Sequence, residues 1–279
     1  MELPRLSVVV RTFDSESTLP MVLKRLDLEP GDELIVVDSG STDKTLEIAR
    51  AFQAKIIQLP PGTFTYDGAL NTGFGAASKA WVLSLSSHCL PENGDLLARY
   101  RNAISRVDER VTAMVGPIVG EHGNPIPSGL TFYVQGELTR GFGFGAGNPN
   151  TLYRRTAWEK RPFFIPDGGH GEDFRWYFAA LAAGETLVGV HAAEVRYISK
   201  RSMSHFYTKG QMDYRIGNEL GFGYQPSFKG FIVRLVKVTA FLVIGKMTFH
   251  AAKASGAHYT GFYLQALQQR RAARRKPAA

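Results

Sequence analysis

Two acidic segments of the chain carry residue types that suit nucleotide binding and proton transfer. The first, VVDSGSTDKT at 36–45, places Asp38 at the end of a β-branched run, before glycine and small hydroxyl residues. In open α/β sheets ligands sit at the carboxyl ends of strands, so the Asp38 carboxylate is placed to accept hydrogen bonds from a base or a ribose. An alternative stays open, in which Asp38 is a turn residue and Ser41 or Thr42 caps a helix that begins near Asp43.

The second acidic segment, EDFRWYFAALAA at 172–183, combines two carboxylates with apolar residues at helical spacing. Gly184 follows it and is a normal helix stop, so the sequence predicts a helix that begins at Glu172. Acidic residues in the first turn are favoured by the helix dipole by roughly 0.3–1 kcal/mol, which is one explanation for Glu172 and Asp173. A positioned carboxylate can also take a proton from an attacking hydroxyl, and this explanation stays open.

Strand and helix patterns alternate through the first half of the chain, and these elements must position the acidic segments. Runs rich in β-branched residues predict strands, and apolar residues at helical spacing predict helices. The predicted strands are Leu6–Arg11, Glu33–Val37, Lys55–Leu59 and Ala80–Leu85. The predicted helices are Leu19–Leu26, Asp43–Phe52 and Asn71–Ser78. This alternation predicts an α/β fold with a nucleotide-binding layout, in which helices cover a parallel sheet.

Beyond about Arg110 the pattern is looser. VTAMVGPIVG at 111–120 is strand-like, and 120–150 is rich in loop residues, with the glycine string GFGFGAGN at 141–148. The spacing of that string is wrong for a dinucleotide fingerprint, and Pro149 follows it where the fingerprint needs a helix. We therefore expect a flexible active-site loop in this region.

The composition is that of a soluble globular protein. With 279 residues, 44% of them hydrophobic and 21% charged, the chain is long enough for a full core, and disordered or collagen-like classes are excluded. Its single cysteine, Cys89, cannot form an internal disulfide, and the start MELPRLSVVV lacks the pattern of a secretory signal. These features predict a reducing, cytoplasmic setting.

The C-terminal part differs in character, and we predict a division into domains at 1–205 and 206–279. From Ser227 onward lysines and arginines interrupt the apolar residues, and the longest uncharged stretch, Val238–Gly245, has eight residues. A bilayer span needs about 20 residues, so this part is either a helix pair packed on the domain or a segment at a membrane interface. The net charge of +8 comes largely from a basic tail, which either attracts an anionic membrane surface or is a solvated terminus. The tail residues are Arg270, Arg271, Arg274, Arg275 and Lys276.

Several segments, taken in order, resemble one known family. LSVVVRTFDSESTLPMVLKRL, ELIVVDSGSTDKT and FTYDGALNTGFGAASKAWVLSLSSHCLPENGDLL resemble the nucleotide-sugar half of inverting family 2 glycosyltransferases, which have the GT-A fold. GNPNTLYRRTAWEKRPF resembles the family's acceptor-side segment, and GEDFRWYFAALAAG resembles its ED motif. The resemblance covers about residues 5–200 and is similar in particular to bacterial members that build cell-surface polysaccharide.

The resemblance implies transfer of a sugar from a nucleoside diphosphate sugar to a hydroxyl of a glycan or lipid-linked acceptor, with inversion. It implies no nucleic-acid partner. It places Asp173, with Glu172 beside it, as the general base on the acceptor side. The residues implied to bind the nucleotide sugar are Thr12 and Asp14 near the nucleotide, Asp38 at its base or ribose, and Asp67 and Asn71 in the donor pocket.

The chain departs from the family at the DxD motif, which usually holds a divalent metal such as Mn²⁺ or Mg²⁺ against the diphosphate. The matching positions are Ser86 and His88, so the use of a metal is open. His88 is a ligand of a borderline ion, a protonated donor to the diphosphate, or a side chain that bonds backbone at a strand end. Without a metal, other cations must stabilise the leaving group. The candidates are Arg11, Lys200, Arg201, His205 and Lys209.

Two other classes of function remain as alternatives. The missing DxD motif is compatible with a non-catalytic scaffold that binds a nucleotide sugar or a glycan. A nucleotidyltransferase shares the sheet layout, but its glycine- and lysine-rich phosphate loop is absent after the first strand, where RTFDSES stands. Cys89 is expected to be a small buried residue, because inverting transfer needs no covalent intermediate.

Overall fold

The structure is a computed structural model that describes residues 3–120, 131–132, 138–139, 147–166, 169–198, 203–219, 230–233, 236, 239, 256 and 259–268. The chain forms two compact units, Met1–Ser199 and Lys200–Ala279. The division at residues 205 and 206 stays a prediction.

The first unit contains strands and helices in alternation. Its strands are β1 (Leu6–Thr12), β2 (Glu33–Asp38), β3 (Lys55–Gln58), β4 (Trp81–Ser86), β5 (Cys89–Pro91), β6 (Val111–Val115), β7 (Ile118–Val119), β8 (Thr131–Phe132), β9 (Leu138–Thr139), β10 (Asn150–Arg154), β11 (Thr186–Gly189) and β12 (Val195–Tyr197). Its helices are α1 (Leu19–Lys24), α2 (Thr45–Ala51), α3 (Tyr66–Gly75), α4 (Leu96–Ile104), α5 (Arg155–Lys160) and α6 (Glu172–Ala182).

A seven-stranded sheet with the order β11-β6-β10-β4-β1-β2-β3 is the centre of this unit. β10 runs antiparallel to β4 and β6, and the other neighbouring pairs are parallel. The first residue of β10, Asn150, pairs with Leu85 near the end of β4. The segment before β10 therefore enters the sheet at the edge where β1, β2 and β4 end. A smaller sheet has the order β5-β12-β7, and its strand β5 comes directly after β4 in the chain.

The two faces of the main sheet carry separate apolar clusters. Val8 and Val10 of β1 belong to the cluster shared with α1, α2 and α4, and Val9 belongs to the cluster shared with α3, α5 and α6. This alternation follows from the strand period of two, and each buried valine contributes roughly 1.5–3 kcal/mol. α3 lies very close to β1, because a Cβ at Gly73 would fall 2.4 Å from Val9 Cγ1. The α/β fold with a mostly parallel sheet is thus confirmed.

Two predicted helix starts are wrong. α3 begins at Tyr66 rather than Asn71, because Thr65 caps it by accepting a 3.0 Å hydrogen bond from the Gly68 N–H. α2 begins at Thr45, and neither Ser41 nor Thr42 caps it. The side chain of Asp43 accepts from the Thr45 N–H at 2.9 Å instead.

The second unit is helical where the structure describes it. α7 spans Met203–Glu219, and residues 230–233 and 259–268 are also helical. Gly261 lies against the backbone of α7, since a Cβ there would fall 2.0 Å from the carbonyl oxygen of Tyr207. This confirms the predicted C-terminal helices. Within the described ranges, every helix is too short or too polar to cross a membrane.

Candidate active site

The carboxyl ends of β1, β2 and β4 bring several predicted site residues to one edge of the main sheet. Thr12, Asp38 and Ser86 are the last residues of these strands, and the register pairs Thr12 with Asp38 and Arg11 with Ser86. Because successive side chains of a strand point to opposite faces, the two pairs lie on different faces of the sheet. Arg11 and Ser86 share the face that α3 and α6 cover.

Asp38 is fully buried, and its carboxylate is engaged within the protein. Oδ1 accepts from the hydroxyl of Thr12 at 3.1 Å and from the hydroxyl of Ser41, and Oδ2 accepts from the N–H groups of Gly40 and Ser41, each at 3.0 Å. A carboxylate offers about four acceptor positions, and these bonds occupy them. Asp38 thus shapes the loop after β2. Its contact with a nucleotide stays a prediction and requires one of these bonds to be exchanged.

The loop after β1 is bound tightly to the loop after β2. Asp14 adopts a φ of 42°, in the left-handed region, which costs a non-glycine residue on the order of 1–3 kcal/mol. Its N–H donates to the Ser41 hydroxyl at 2.9 Å, and its Oδ1 accepts from the Thr42 N–H at 2.8 Å. These bonds hold the strained residue in place. The exposed Asp14 therefore lies at the edge where the nucleotide is expected, on a rigid pair of loops.

Asp67 and Asn71 connect α3 to the segment that leads to the acidic pair. Asp67 Oδ2 accepts from the Ile165 N–H at 3.1 Å. The amide of Asn71 donates to the Phe163 carbonyl at 2.8 Å and accepts from the Phe163 N–H at 3.0 Å. The indole N–H of Trp158 also donates to Asn71 Oδ1, at 2.9 Å. These contacts give both residues a positioning role, and their contact with the donor stays a prediction.

The acidic pair begins α6, as predicted. Gly171 precedes it with a φ of 97°, which glycine adopts at little cost, and its N–H donates to Glu172 Oε2 at 3.1 Å. Glu172 is buried, and its Oε1 accepts from Asn148 Nδ2 at 3.0 Å. Asp173 is half-buried, and its Oδ2 accepts from the Asn148 backbone N–H at 3.1 Å. One residue, Asn148, therefore contacts both carboxylates.

Arg11 brings a positive charge from β1 to this pair. Its Nη1 lies 3.9 Å from Glu172 Oε1, and its guanidinium carbon lies 5.8 Å from the ring centre of Tyr66. Tyr66 in turn packs on the ring of His170, with 4.1 Å between centroids. Nε of Arg11 is buried and has no hydrogen-bond partner within the part of the chain that the structure describes. A partly buried cation with an unused donor is suited to an anionic ligand.

A buried chain of hydroxyl groups leads away from Asn148. The Tyr153 hydroxyl donates to Asn148 Oδ1 at 2.6 Å, the hydroxyls of Tyr153 and Tyr177 are 3.1 Å apart, and Tyr177 lies 2.8 Å from the Thr151 hydroxyl. Burial raises the pKa of Tyr153 well above its ordinary value, and burial together with the charge of Asp173 raises the pKa of Tyr177. Both phenols therefore stay protonated at neutral pH.

Ser86 ends β4, and His88 lies on the turn between β4 and β5. Ser86 is buried, and its N–H donates to the Pro149 carbonyl at 3.3 Å. The His88 ring is 4.5 Å from the ring of Tyr197, and its carbonyl accepts from the Ile198 N–H at 2.9 Å. These contacts anchor residue 88, and its role toward a metal or a phosphate stays a prediction. Cys89, which follows, is fully buried as predicted.

The residues at the DxD positions lack the carboxylates with which this motif usually holds a divalent metal, and the use of a metal stays a prediction. The Ser86 hydroxyl offers one neutral oxygen and His88 one imidazole, a pair that suits Mg²⁺ poorly and a borderline ion such as Mn²⁺ better. Among the residues described, no three His, Cys, Asp or Glu side chains are grouped so that they could hold a metal ion.

The remaining predicted cations lie elsewhere in the chain. Lys200, Arg201 and the side chains of His205 and Lys209 lie outside the described residues, as does the basic tail. Most of the glycine-rich 120–150 region, where we expected a flexible loop, also lies outside them.

Three residues of this site were not predicted from the sequence. Asn148 and Tyr66 lie in the segments GNPN and FTYDG, which carry part of the family resemblance, and His170 directly precedes the segment GEDFRWYFAALAAG. The resemblance marked these segments but not the side chains that meet in space. Arg11 was predicted only as one of several candidate cations.

The fold and the site define an α/β protein with a mostly parallel sheet and an acidic helix start at its carboxyl edge. The sequence profile of glycosyl transferase family 2 matches residues 7–166, and the chain belongs to this family. A PGL/p-HBAD biosynthesis glycosyltransferase of Mycobacterium bovis is 35% identical over 106 residues, which are 36% of this chain and 41% of that protein. The O-antigen chain rhamnosyltransferase WbaN of Salmonella anatum is 26% identical over 192 residues, which are 64% of this chain and 58% of that protein. The chain thus matches less than two thirds of the length of either relative.

Solved structures share the fold at low identity. Glucosyl-3-phosphoglycerate synthase from Mycobacterium tuberculosis, in complex with Mn²⁺, UDP and phosphoglyceric acid, gives a TM-score of 0.59 at 18% identity, over 78% of this chain and 79% of that one. TarS 1-349 from S. aureus, in complex with UDP-GlcNAc, gives a TM-score of 0.55 at 15% identity, over 95% and 92% of the two chains. These similarities confirm the predicted GT-A fold.

Proposed function

We propose that this chain transfers a sugar from a nucleoside diphosphate sugar to an acceptor hydroxyl, with inversion at the anomeric carbon. Membership of glycosyl transferase family 2 supports transfer as the reaction class. The observation that carries the proposal is the position of the acidic pair. The pair lies beside the edge of the main sheet where β1, β2 and β4 end, which is the predicted donor site. Arg11 of β1 contacts Glu172, and Asn148 contacts both carboxylates.

Asp173 is the general base in this proposal. Glu172 is only 5% exposed, and its two oxygens accept from Asn148 and from the Gly171 N–H. Asp173 is more exposed, and its Oδ2 accepts from the Asn148 N–H and its Oδ1 from the Phe174 N–H. A hydroxyl that approaches α6 therefore meets Asp173 first, and the carboxylate takes its proton as the oxygen attacks the anomeric carbon.

Arg11 stabilises the departing nucleoside diphosphate. It pairs with Ser86 across β1 and β4, so its side chain lies on the same face as the first DxD position. Its buried Nε is an unused donor among the residues described, and a guanidinium can contact two phosphate oxygens at once. Because negative charge grows on the leaving group in the transition state, a fixed cation there lowers the barrier.

The acceptor is a glycan or a lipid-linked glycan of surface polysaccharide or glycoconjugate assembly. The relatives support this class, since one is a PGL/p-HBAD biosynthesis glycosyltransferase and the other an O-antigen chain rhamnosyltransferase. The bound UDP-GlcNAc of TarS supports a nucleotide sugar as donor.

We place the protein in the cytoplasm, in contact with the inner face of an anionic membrane through its basic tail. Each tail cation near such a surface contributes about 1 kcal/mol. Flotation with phosphatidylglycerol vesicles should recover the full chain, and phosphatidylcholine vesicles should not. A variant with glutamine at the tail cations should lose this recovery. Equal recovery from both vesicle types would contradict contact through the charge of the basic tail.

A panel of nucleotide sugars tests the enzymatic claim. Release of the nucleoside diphosphate is measured for each donor, with and without Mn²⁺ or Mg²⁺, and the anomeric configuration of the product is read by NMR. We expect turnover with at least one donor and inverted product. The missing DxD motif favours one rival, a non-catalytic scaffold. Tight binding of a nucleotide sugar without turnover of any donor would establish that rival.

Metal titration tests whether His88 is a metal ligand. If His88 is a metal ligand, wild-type turnover rises with added Mn²⁺, and His88→Ala removes that rise. If Arg11 supplies the positive charge at the diphosphate, removal of divalent metal with a chelator leaves turnover unchanged. His88→Ala then lowers turnover only slightly.

A further inference from the structure

A buried asparagine connects β4, which leads to the predicted diphosphate position, with the acidic pair at the start of α6. Asn148 is fully buried, and all four of its polar groups have partners. Its carbonyl accepts from the Ser84 hydroxyl at 2.6 Å, and its N–H donates to Asp173 Oδ2 at 3.1 Å. Its side-chain Nδ2 donates to Glu172 Oε1 at 3.0 Å, and its Oδ1 accepts from the Tyr153 hydroxyl at 2.6 Å. Asn148 therefore joins β4 to both carboxylates of α6.

The Glu172 carboxylate fixes which way the Asn148 amide points, and that orientation requires the Tyr153 hydroxyl as donor. A carboxylate only accepts hydrogen bonds, so the amide nitrogen must face Glu172 and the amide oxygen must face Tyr153. An amide oxygen also only accepts, so Tyr153 must be the donor in its 2.6 Å bond. The reversed amide would set an oxygen against the Glu172 carboxylate and is excluded by repulsion.

The ring of Tyr153 is held independently of its hydroxyl. It packs edge-on against Phe74, Phe163 and Trp176, with centroid distances of 5.6, 5.2 and 4.8 Å. Removal of the hydroxyl alone therefore leaves the aromatic packing in place, and the polar function of Tyr153 can be tested separately from its packing.

We infer that Tyr153, acting through Asn148, is a positioning residue that holds Glu172 and Asp173 in the geometry for catalysis. The inference rests on the proposed function of Asp173 as base. In Tyr153→Phe, Asn148 Oδ1 becomes a buried acceptor without its donor, and the amide and the backbone next to it shift. The carboxylate of Asp173 then loses part of the hydrogen bond from the Asn148 N–H.

Kinetics of Tyr153→Phe test this inference. We expect kcat to fall by about tenfold to a hundredfold, with the KM for the donor within about threefold of wild type, because a misplaced group costs rate rather than binding. The acid limb of the kcat profile should move to higher pH, since a carboxylate that loses a donor binds its proton more tightly. Within the part of the chain that the structure describes, the charged and titratable groups near the pair include Arg11, Tyr66, Tyr153, His170 and Tyr177.

Tyr100→Phe is the matched control. Tyr100 is also fully buried, and its hydroxyl donates to Asn150 rather than to Asn148. We expect a similar loss of thermal stability in both variants but an unchanged kcat profile in Tyr100→Phe. Equal kinetics in the two variants would overturn the positioning role of Tyr153.

A second measurement separates this inference from the proposed function. The carboxyl of Asp173 is titrated by NMR in the intact protein with isotope-labelled aspartate, and its signal is assigned by its absence in Asp173→Asn. Tyr153→Phe should raise the pKa of Asp173, and Tyr100→Phe should not. If the wild type turns over no donor, the proposed function fails, and this titration still decides the inference. An unshifted pKa of Asp173 in Tyr153→Phe would contradict it.

Discussion

The hydroxyl of Ser84 on β4 donates a 2.6 Å hydrogen bond to the carbonyl oxygen of Asn148. Both residues are fully buried, so this bond is not exchanged for one with solvent. It ties the strand that leads to the predicted diphosphate position to the residue that contacts both acidic side chains. Buried hydrogen bonds therefore fix the distance between β4 and the acidic pair of α6.

Ser84→Ala removes this donor and leaves a buried carbonyl without its partner. We expect the free energy of unfolding to fall by about 1–3 kcal/mol, measured by urea denaturation. The control is Ser105→Ala, since Ser105 donates a 2.8 Å bond to the Asn102 carbonyl in an exposed position. That variant should change stability by less than about 0.5 kcal/mol. Equal losses in the two variants would show that burial does not set the strength of the Ser84 bond.

Gly147→Ala places a methyl group against the base. The added Cβ would lie 2.8 Å from Asp173 Oδ2 and 3.3 Å from Pro149 Cδ, so Asp173 or the backbone must move. We expect turnover to fall by about tenfold or more, because small displacements of a catalytic group are costly. In the control Gly75→Ala the nearest heavy atom is 3.9 Å away, in Trp158, and turnover should not change. Normal turnover of Gly147→Ala would argue against a fixed Asp173.

Arg11→Lys keeps a positive charge near Glu172 but removes the guanidinium fork. If Arg11 contacts the diphosphate, the turnover number should fall by about tenfold to a hundredfold, since the lysine presents one point charge. Arg154→Lys is the control, because Arg154 stacks on Trp81 at the opposite end of β4, 4.4 Å from its ring centre. Normal turnover of Arg11→Lys, whatever the turnover of Arg154→Lys, would remove Arg11 from the mechanism.

The ion pair between Glu92 and Arg196 makes a pH-dependent contribution to stability. Hydrogen bonds from Arg196, one of them 2.6 Å long, lower the pKa of the Glu92 carboxyl against the opposing effect of burial. The lowered pKa means that the stabilisation is present above the unfolded value of about 4.3 and is lost as the pH falls through the folded value. Because the pair is partly exposed, its contribution is about 1 kcal/mol or less.

Glu92→Gln should therefore be less stable than wild type at pH 7, and this deficit should be smaller near pH 3. Urea denaturation at both pH values measures the difference. Glu29→Gln, at an exposed position, should match wild type at both. A Glu92→Gln deficit that is the same at pH 3 and pH 7 would show that the carboxylate charge is not its source.

Much of the fold could be predicted from the sequence because its signals are local. Buried parallel strands such as β1 and β2 are continuous runs of valine, isoleucine and leucine, and these are visible without any partner. The start of α3 was missed because its first turn contains Gly68 and an Asp, which are typical of loops. The cap that makes a helix there is a single bond from the Gly68 N–H to Thr65.

The site could be predicted only in part, for a different reason. Asp38, Glu172 and Asp173 lie in segments that are recognisable one at a time. The contacts of Asn148 and Arg11 join segments that are 24 and 161 positions apart from Glu172 in the sequence (172 − 148 and 172 − 11). No local pattern shows that such residues meet, so this part of the site required the folded chain.

Asp173→Asn tests the central claim most directly. The variant keeps the size of the side chain but cannot take a proton, so turnover of the best donor should fall by about a hundredfold or more. Binding of the donor, measured by calorimetry, should stay within about threefold of wild type. Near-normal turnover of Asp173→Asn, at wild-type donor affinity, would contradict the assignment of Asp173 as the base.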